Sequence, residues 1–189
     1  MKKTILIIVA FALFTSFGYS QSVEQLKQEV EKLTQENKTL KHKADFCNLY
    51  SQSDKYEVKS FNENYEVKVL SVIGNKNDQT VDILFTLRHE IPNQKITLHG
   101  DEFVAYDETG NSYTLKAADF SGNKGVGGYV YHVIPTDVLI QGKLTFRNIL
   151  SKTDRLKKVS GRIDTENNDG GDNKQKGEVE FTNLLINWK

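Results

Sequence analysis

The stretch Val81-Asp-Ile-Leu-Phe-Thr-Leu-Arg-His-Glu90 decides the fold class, because its apolar residues, Leu84 apart, recur at every second position. Val81, Ile83, Phe85 and Leu87 fall on one face of an extended chain, with Asp82, Thr86 and Arg88 on the other. A period of two marks a half-buried strand; a helix would repeat its apolar positions every three to four residues. His89 continues the core phase near the strand end, so it reads as a packing histidine rather than a ligand.

The same pattern extends outward. Val138, Ile140, Leu144 and Phe146 alternate with Gln141, Lys143, Thr145 and Arg147. Further strands are expected at Tyr56 to Phe61, Tyr65 to Ile73, Glu102 to Tyr106, Ser112 to Leu115, Gly128 to Val133, Arg155 to Asp164 and Lys176 to Asn187. Turn residues separate them at Asn62 to Asn64, Gly74 to Asp78, Asp107 to Asn111 and Thr165 to Gln175. Many short strands without a second helical segment predict a mainly β protein, an antiparallel β-sandwich spanning residues 51–189. A domain of that size buries enough apolar surface to need no disulfide.

Before the strands, the period is helical. With Val23 at heptad position a, Val30, Asn37 and Ala44 take the later a positions, and Leu26, Leu33, Leu40 and Cys47 take d. No position of that seam is charged. Val at a with Leu at d favours two parallel strands, and a lone Asn37 is satisfied only opposite its own copy in register. Glu36 at g would face Lys41 at e of the partner, a pairing worth a few tenths of a kcal/mol. Residues 21–50 are therefore expected to form a coiled-coil helix whose partner is a second copy, a parallel homodimer. The alternative is an amphipathic helix docked on its own sandwich, although a docked helix usually shows a wider apolar face.

Residues 1–20 carry the pattern of a signal peptide. Lys2 and Lys3 precede the apolar run Ile5 to Phe17, and Gly18 and Ser20 are the small residues of a cleavage site. The mature chain would begin at Gln21, outside the cytoplasm, in the periplasm or secreted, with no stable transmembrane segment after cleavage. Losing the two lysines leaves 23 basic against 25 acidic side chains. A near-neutral chain with no basic block argues against nucleic acid as a partner. Export also gives Cys47 a meaning, because a lone cysteine in an oxidising compartment suggests an intermolecular bond or a free thiol. Two facing d positions lie about 6 Å apart between Cα atoms, within reach of a disulfide.

Three segments, Val81 to Glu90, the hairpin Phe103-Val-Ala-Tyr-Asp-Glu-Thr-Gly-Asn-Ser-Tyr113 and Ile134-Pro-Thr-Asp-Val-Leu-Ile-Gln-Gly-Lys-Leu-Thr-Phe146, carry a resemblance. From about Tyr65 onward the chain resembles the immunoglobulin-like domains of small exported bacterial proteins of unknown function, similar in fold to a mycobacterial secreted immunoprotective antigen. The resemblance implies a β-sandwich outside the cytoplasm and brings no catalytic residues. Many such proteins are lipoproteins, whereas here Gln21, not a cysteine, directly follows the cleavage site.

Searches for chemistry give little. His42, His89, His99 and His132 have no zinc spacing, no serine sits in a nucleophile elbow, and Cys47 has no neighbouring base. The glycines of Gly122-Asn-Lys-Gly-Val-Gly-Gly128 lack a phosphate-loop ending and read as a mobile loop. Asp164, Glu166, Asn168, Asp169, Asp172 and Asn173 concentrate the oxygen ligands calcium prefers, but without EF-hand spacing, so a solvated hairpin loop is favoured. Tyr129, Tyr131 and Trp188 could stack on a sugar or peptide if exposed, although core packing is the commoner fate of such residues. The expectation is a non-enzymatic binding or structural protein without a cofactor, its paired sandwiches gripping a protein or an envelope polymer by avidity. The competing expectation is a monomeric ligand-binding sandwich, possible partners including calcium.

Overall fold

The computed structural model describes residues 2–51, 55–125, 128–168 and 173–189, and within the helix the side chains of residues 23–49. The chain divides into two compact units, one ending at Asn48 and one beginning at Leu49.

The first unit consists of helix α1 (Lys2–Ser51), whose last three residues fall in the second unit. From Ser22 to Ser51 it contains no glycine or proline and is rich in Leu, Lys, Glu and Gln, all strong helix formers. Thr34 and Thr39 return their hydroxyls to the carbonyls of Val30 and Gln35, one turn back. Lys32 lies 4.0 Å from Glu36 along the same helix.

The second unit is built from β1 (Glu57–Lys59), β2 (Tyr65–Asn75), β3 (Thr80–His89), β4 (Gln94–His99), β5 (Val104–Asp107), β6 (Ser112–Phe120), β7 (Asn123–Gly125), β8 (Tyr129–Ile134), β9 (Ile140–Arg147), β10 (Arg155–Asn167), β11 (Gln175–Leu185) and β12 (Asn187–Trp188). One sheet runs β12-β2-β3-β9-β6, with β7 on the far edge of β6. The other runs β1-β11-β10, and the far edge of β10 is shared end to end by β5 and β4. β8 then pairs with β4, and β6 with β5. All these pairs are antiparallel except β12 with β2.

The sheets join through β6, whose Ser112 to Thr114 pair with β5 and whose Leu115 to Phe120 pair with β9. The register slips between Leu115 and Ala117, and such a bulge lets one strand bend from one layer into the next. β4 and β5 are likewise one strand interrupted by a 3-10 turn at Gly100–Glu102.

The core lies between the sheets. Phe85, Phe103, Phe120, Phe146 and Phe181 are all fully buried, together with Val69, Ile83, Leu144, Val159 and Leu184. The glycine that breaks the alternation of β9 has a packing reason, since a methyl at Gly142 would overlap the Phe85 ring. Gly161 on β10 makes the same room for Phe103.

Most strands fall where alternation places them, with instructive differences. β4 and β7 are absent from the sequence reading. In β4 only Ile96 and Leu98 are apolar core residues, and the polar Gln94 and His99 at its ends are also buried. Asn123 to Gly125, read as part of a mobile loop, form β7 on β6 instead; residues 126 and 127 of that loop lie outside the described residues. β10 runs on through Thr165 to Asn167, which the composition had assigned to a turn. Val138 precedes β9 and is 40% exposed rather than core. His89 is buried, its ring nitrogens 3.0 Å from the carbonyls of Ile91 and Ile134.

The predicted turn at Asp107 is a closed hydrogen-bond cluster. The Asp107 carboxylate accepts bonds from Thr109, Asn111 and the Tyr113 hydroxyl, the last at 2.7 Å. Burial by itself would raise its pKa, but the bonds from Tyr113, Asn111 and Thr109 outweigh it and hold the carboxyl well below the usual range.

Candidate functional site

Two surfaces stand out, one on each unit. On α1 the heptad seam is open. Val23, Leu26, Val30, Leu33 and Leu40 are 47 to 64% exposed, and Asn37, Ala44 and Cys47 are exposed beside them. These are the residues the heptad assigns to a and d, and they share one stripe because steps of three and four residues return to the same face.

On the sandwich, the outer face of β8, β4 and β10 gathers aromatic and charged groups. Pairing sets His99 beside Tyr129, Thr97 beside Tyr131 and Lys95 beside Val133 across β4 and β8. On the other side of β4, Asp164 pairs with Thr97 and Glu166 with Lys95. Because side chains alternate across a sheet, these residues all project from the same face.

Tyr129 and Tyr131 are 65% and 61% exposed, which corrects the expectation of core packing. Trp188 is half-buried, lies against Gly74 and donates its ring N–H to the Thr153 carbonyl at 2.8 Å. Each exposed tyrosine is braced by β4. The His99 ring stands perpendicular to that of Tyr129 with centroids 4.7 Å apart, and the Lys95 ammonium lies 5.4 Å from the centre of the Tyr131 ring.

Beside the tyrosines, on the same face, runs an ion network across β4 and β10. Arg162 grips the buried Asp164 carboxylate through two nitrogens, at 2.7 and 2.8 Å. Lys174 lies 3.1 Å and His99 Nε2 3.0 Å from the same group. The His99 contact is close without being a well-aligned hydrogen bond. Burial would push the Asp164 carboxyl up, but Arg162, Lys174 and His99 together hold it well below its ordinary value. Lys95 closes on Glu166 at 2.6 Å, and Arg162 reaches Glu102 at 3.2 Å.

Of the oxygen ligands considered for calcium, Asp164 and Glu166 are thus engaged by cationic side chains, while Asp169 and Asp172 lie outside the described residues. Among the described residues no group of three or more His, Cys, Asp or Glu is placed to hold a metal ion, and no helix is long and apolar enough to cross a membrane. The approach of His99 to Asp164 has no sequence signal, since only the pairing of β4 with β10 brings them together.

No family model and no curated protein matches the chain. Among solved structures it is similar to the putative ApaA protein of Bordetella pertussis, at 13% identity over 69% of this chain and 94% of that one, with a TM-score of 0.39. It is also similar to a PapD-like domain of human CEP192, at 11% identity, 68% and 90% coverage and a TM-score of 0.38. The CooA pilin subunit of enterotoxigenic Escherichia coli gives 6%, 60% and 88%, and 0.37. TM-scores this low leave the fold assignment to the hydrogen-bonded sheets described above.

Proposed function

We propose that this is an exported, non-enzymatic binding or structural protein in which a parallel two-stranded coiled coil of α1 pairs two immunoglobulin-like sandwiches. The exposed apolar seam carries the reading. Five large aliphatic side chains in heptad register, standing open to water, are an unfavourable surface that a second copy would bury. Each such side chain contributes roughly 1.5 to 3 kcal/mol when fully buried, enough in sum to offset the cost of association.

Residues 1–20 act as the signal peptide, residues 21–50 as the coil and residues 51–189 as the binding domain, outside the cytoplasm. Pairing makes the second contact with a repetitive target intramolecular, so avidity replaces a strong single site. Asn37 sets the register and Cys47 seals the C-terminal end of the coil.

Oxidation of the mature chain tests the orientation. In a parallel pair the two Cys47 thiols face each other; in an antiparallel pair each lies roughly 36 Å from the other along the coil, at 1.5 Å per residue. A covalent dimer that vanishes with reductant and with Cys47→Ser is the expected result. A chain that stays monomeric at micromolar concentration, oxidised or reduced, overturns the reading.

A further inference from the structure

The outer face of β8 and β4 has the features of a ligand platform rather than of an unused surface. Tyr129 and Tyr131 sit two residues apart on one strand, so their rings are spaced by about 7 Å. Both are open to solvent on one side and held on the other, Tyr129 by His99 and Tyr131 by Lys95. His99 is itself buried against Asp164, which Arg162 and Lys174 fix in turn. The aromatic faces are therefore positioned before any ligand arrives, which lowers the ordering cost of binding.

Charge decides the class of ligand. Lys95, Arg162 and Lys174 are matched by Glu166, Asp164 and Glu102, so the platform carries aromatic faces and paired polar groups without a net field. A polyanion or a polycation gains nothing from such a surface. A chain of neutral sugars does, because its C–H faces stack on tyrosine rings while its hydroxyls bond to the flanking charged groups. Addition of a peptide strand to the edge of β8 away from β4 is less well served, since the Asn123 side chain already reaches the Tyr131 carbonyl and His132 there.

We propose that the outer face of β8 and β4, with Tyr129 and Tyr131 as stacking platforms, binds a neutral glycan chain. This gives the binding half of the function above a ligand class. It rests on the sandwich alone, and the dimer would only multiply its strength.

Native electrophoresis of the mature chain through gels carrying neutral polysaccharides tests it: dextran, hydroxyethylcellulose, glucomannan and xylan, with anionic alginate for contrast. At least one neutral polymer should retard the protein and alginate should not. Tyr129→Ala and Tyr131→Ala should each weaken the association about tenfold, the loss typical of one stacking platform. Tyr131→Phe should keep it, and all variants should melt with the parent because both rings are exposed. Failure of every neutral polymer, or retardation equal in parent and alanine variants, overturns the proposal. So does a change of solution mass in place of a change of retardation, which would make the face a contact between copies. Mass measured on the same samples separates the two readings: a retarded monomer keeps the glycan platform and loses the dimer, while an unretarded dimer does the reverse.

Discussion

Leu33 and Leu144 are the same side chain with opposite fates. Leu33 on α1 is 56% exposed, whereas Leu144 on β9 is 1% exposed between two sheets. The sandwich closes its own core, with five phenylalanines buried and glycines placed to admit two of them. The seam residues of α1 are exposed, and an amphipathic helix draws most of its stability from packing its apolar face. Stability in the sandwich is thus a property of one chain; in the helix it depends on what covers the seam.

The largest expected effect probes the closed region. Phe85→Ala should destabilise the sandwich by about 4 kcal/mol, because it removes a ring that also fills the space over Gly142. Thermal unfolding followed by near-ultraviolet circular dichroism would show it, at a midpoint independent of protein concentration. Leu33→Ala should do the opposite. It should leave the sandwich transition in place, cost the dimer about 3 kcal/mol, roughly a hundredfold in dissociation constant, and make the helical signal more dependent on concentration. A sandwich melting point that falls with Leu33→Ala would erase the contrast between the two regions.

Two smaller effects sharpen it within the sandwich. Asp164→Asn removes the anion that Arg162, Lys174 and His99 share. Because Arg162 and Lys174 reach solvent and are screened there, about 2 kcal/mol is expected rather than the full cost of a broken buried pair. Acid should reproduce the loss. The folded-state pKa values of Asp164 and Asp107 are both depressed, so their contribution is complete above the unfolded value near 4 and declines as pH falls below it toward the folded values. Urea titrations at pH 7 and pH 3 would check this, with Asp164→Asn flattening the dependence. Tyr113→Phe should cost about 1 kcal/mol, the net value of one hydrogen bond to Asp107.

What could be read from the sequence follows the same divide. The helix of α1 was legible because its period persists over four heptads, β2, β3 and β9 because enough alternation survives the bulge at Leu70 and the glycine at position 142, and the Asp107 turn because of its turn chemistry. β8 was legible as a strand but not in its orientation. Tyr129, Val130, Tyr131, His132, Val133 and Ile134 put apolar residues on both faces, so parity cannot tell which face meets the core. Only pairing with β4 settles that Val130 and Ile134 turn inward and the tyrosines outward. β4 was missed because its buried ends are polar, and the passage of β6 between sheets depends on a bulge that no composition signals. The ion network joins residues 65 positions apart, His99 and Asp164, which only the folded topology brings together.

The central claim is that α1 stabilises itself on a second copy, and light scattering of residues 21–189 in reductant, at micromolar concentration, tests it most directly. The account predicts twice the chain mass, falling to the single-chain mass when Leu26, Leu33 and Leu40 are all replaced by alanine while the sandwich stays folded. A single-chain mass for the parent protein would contradict it.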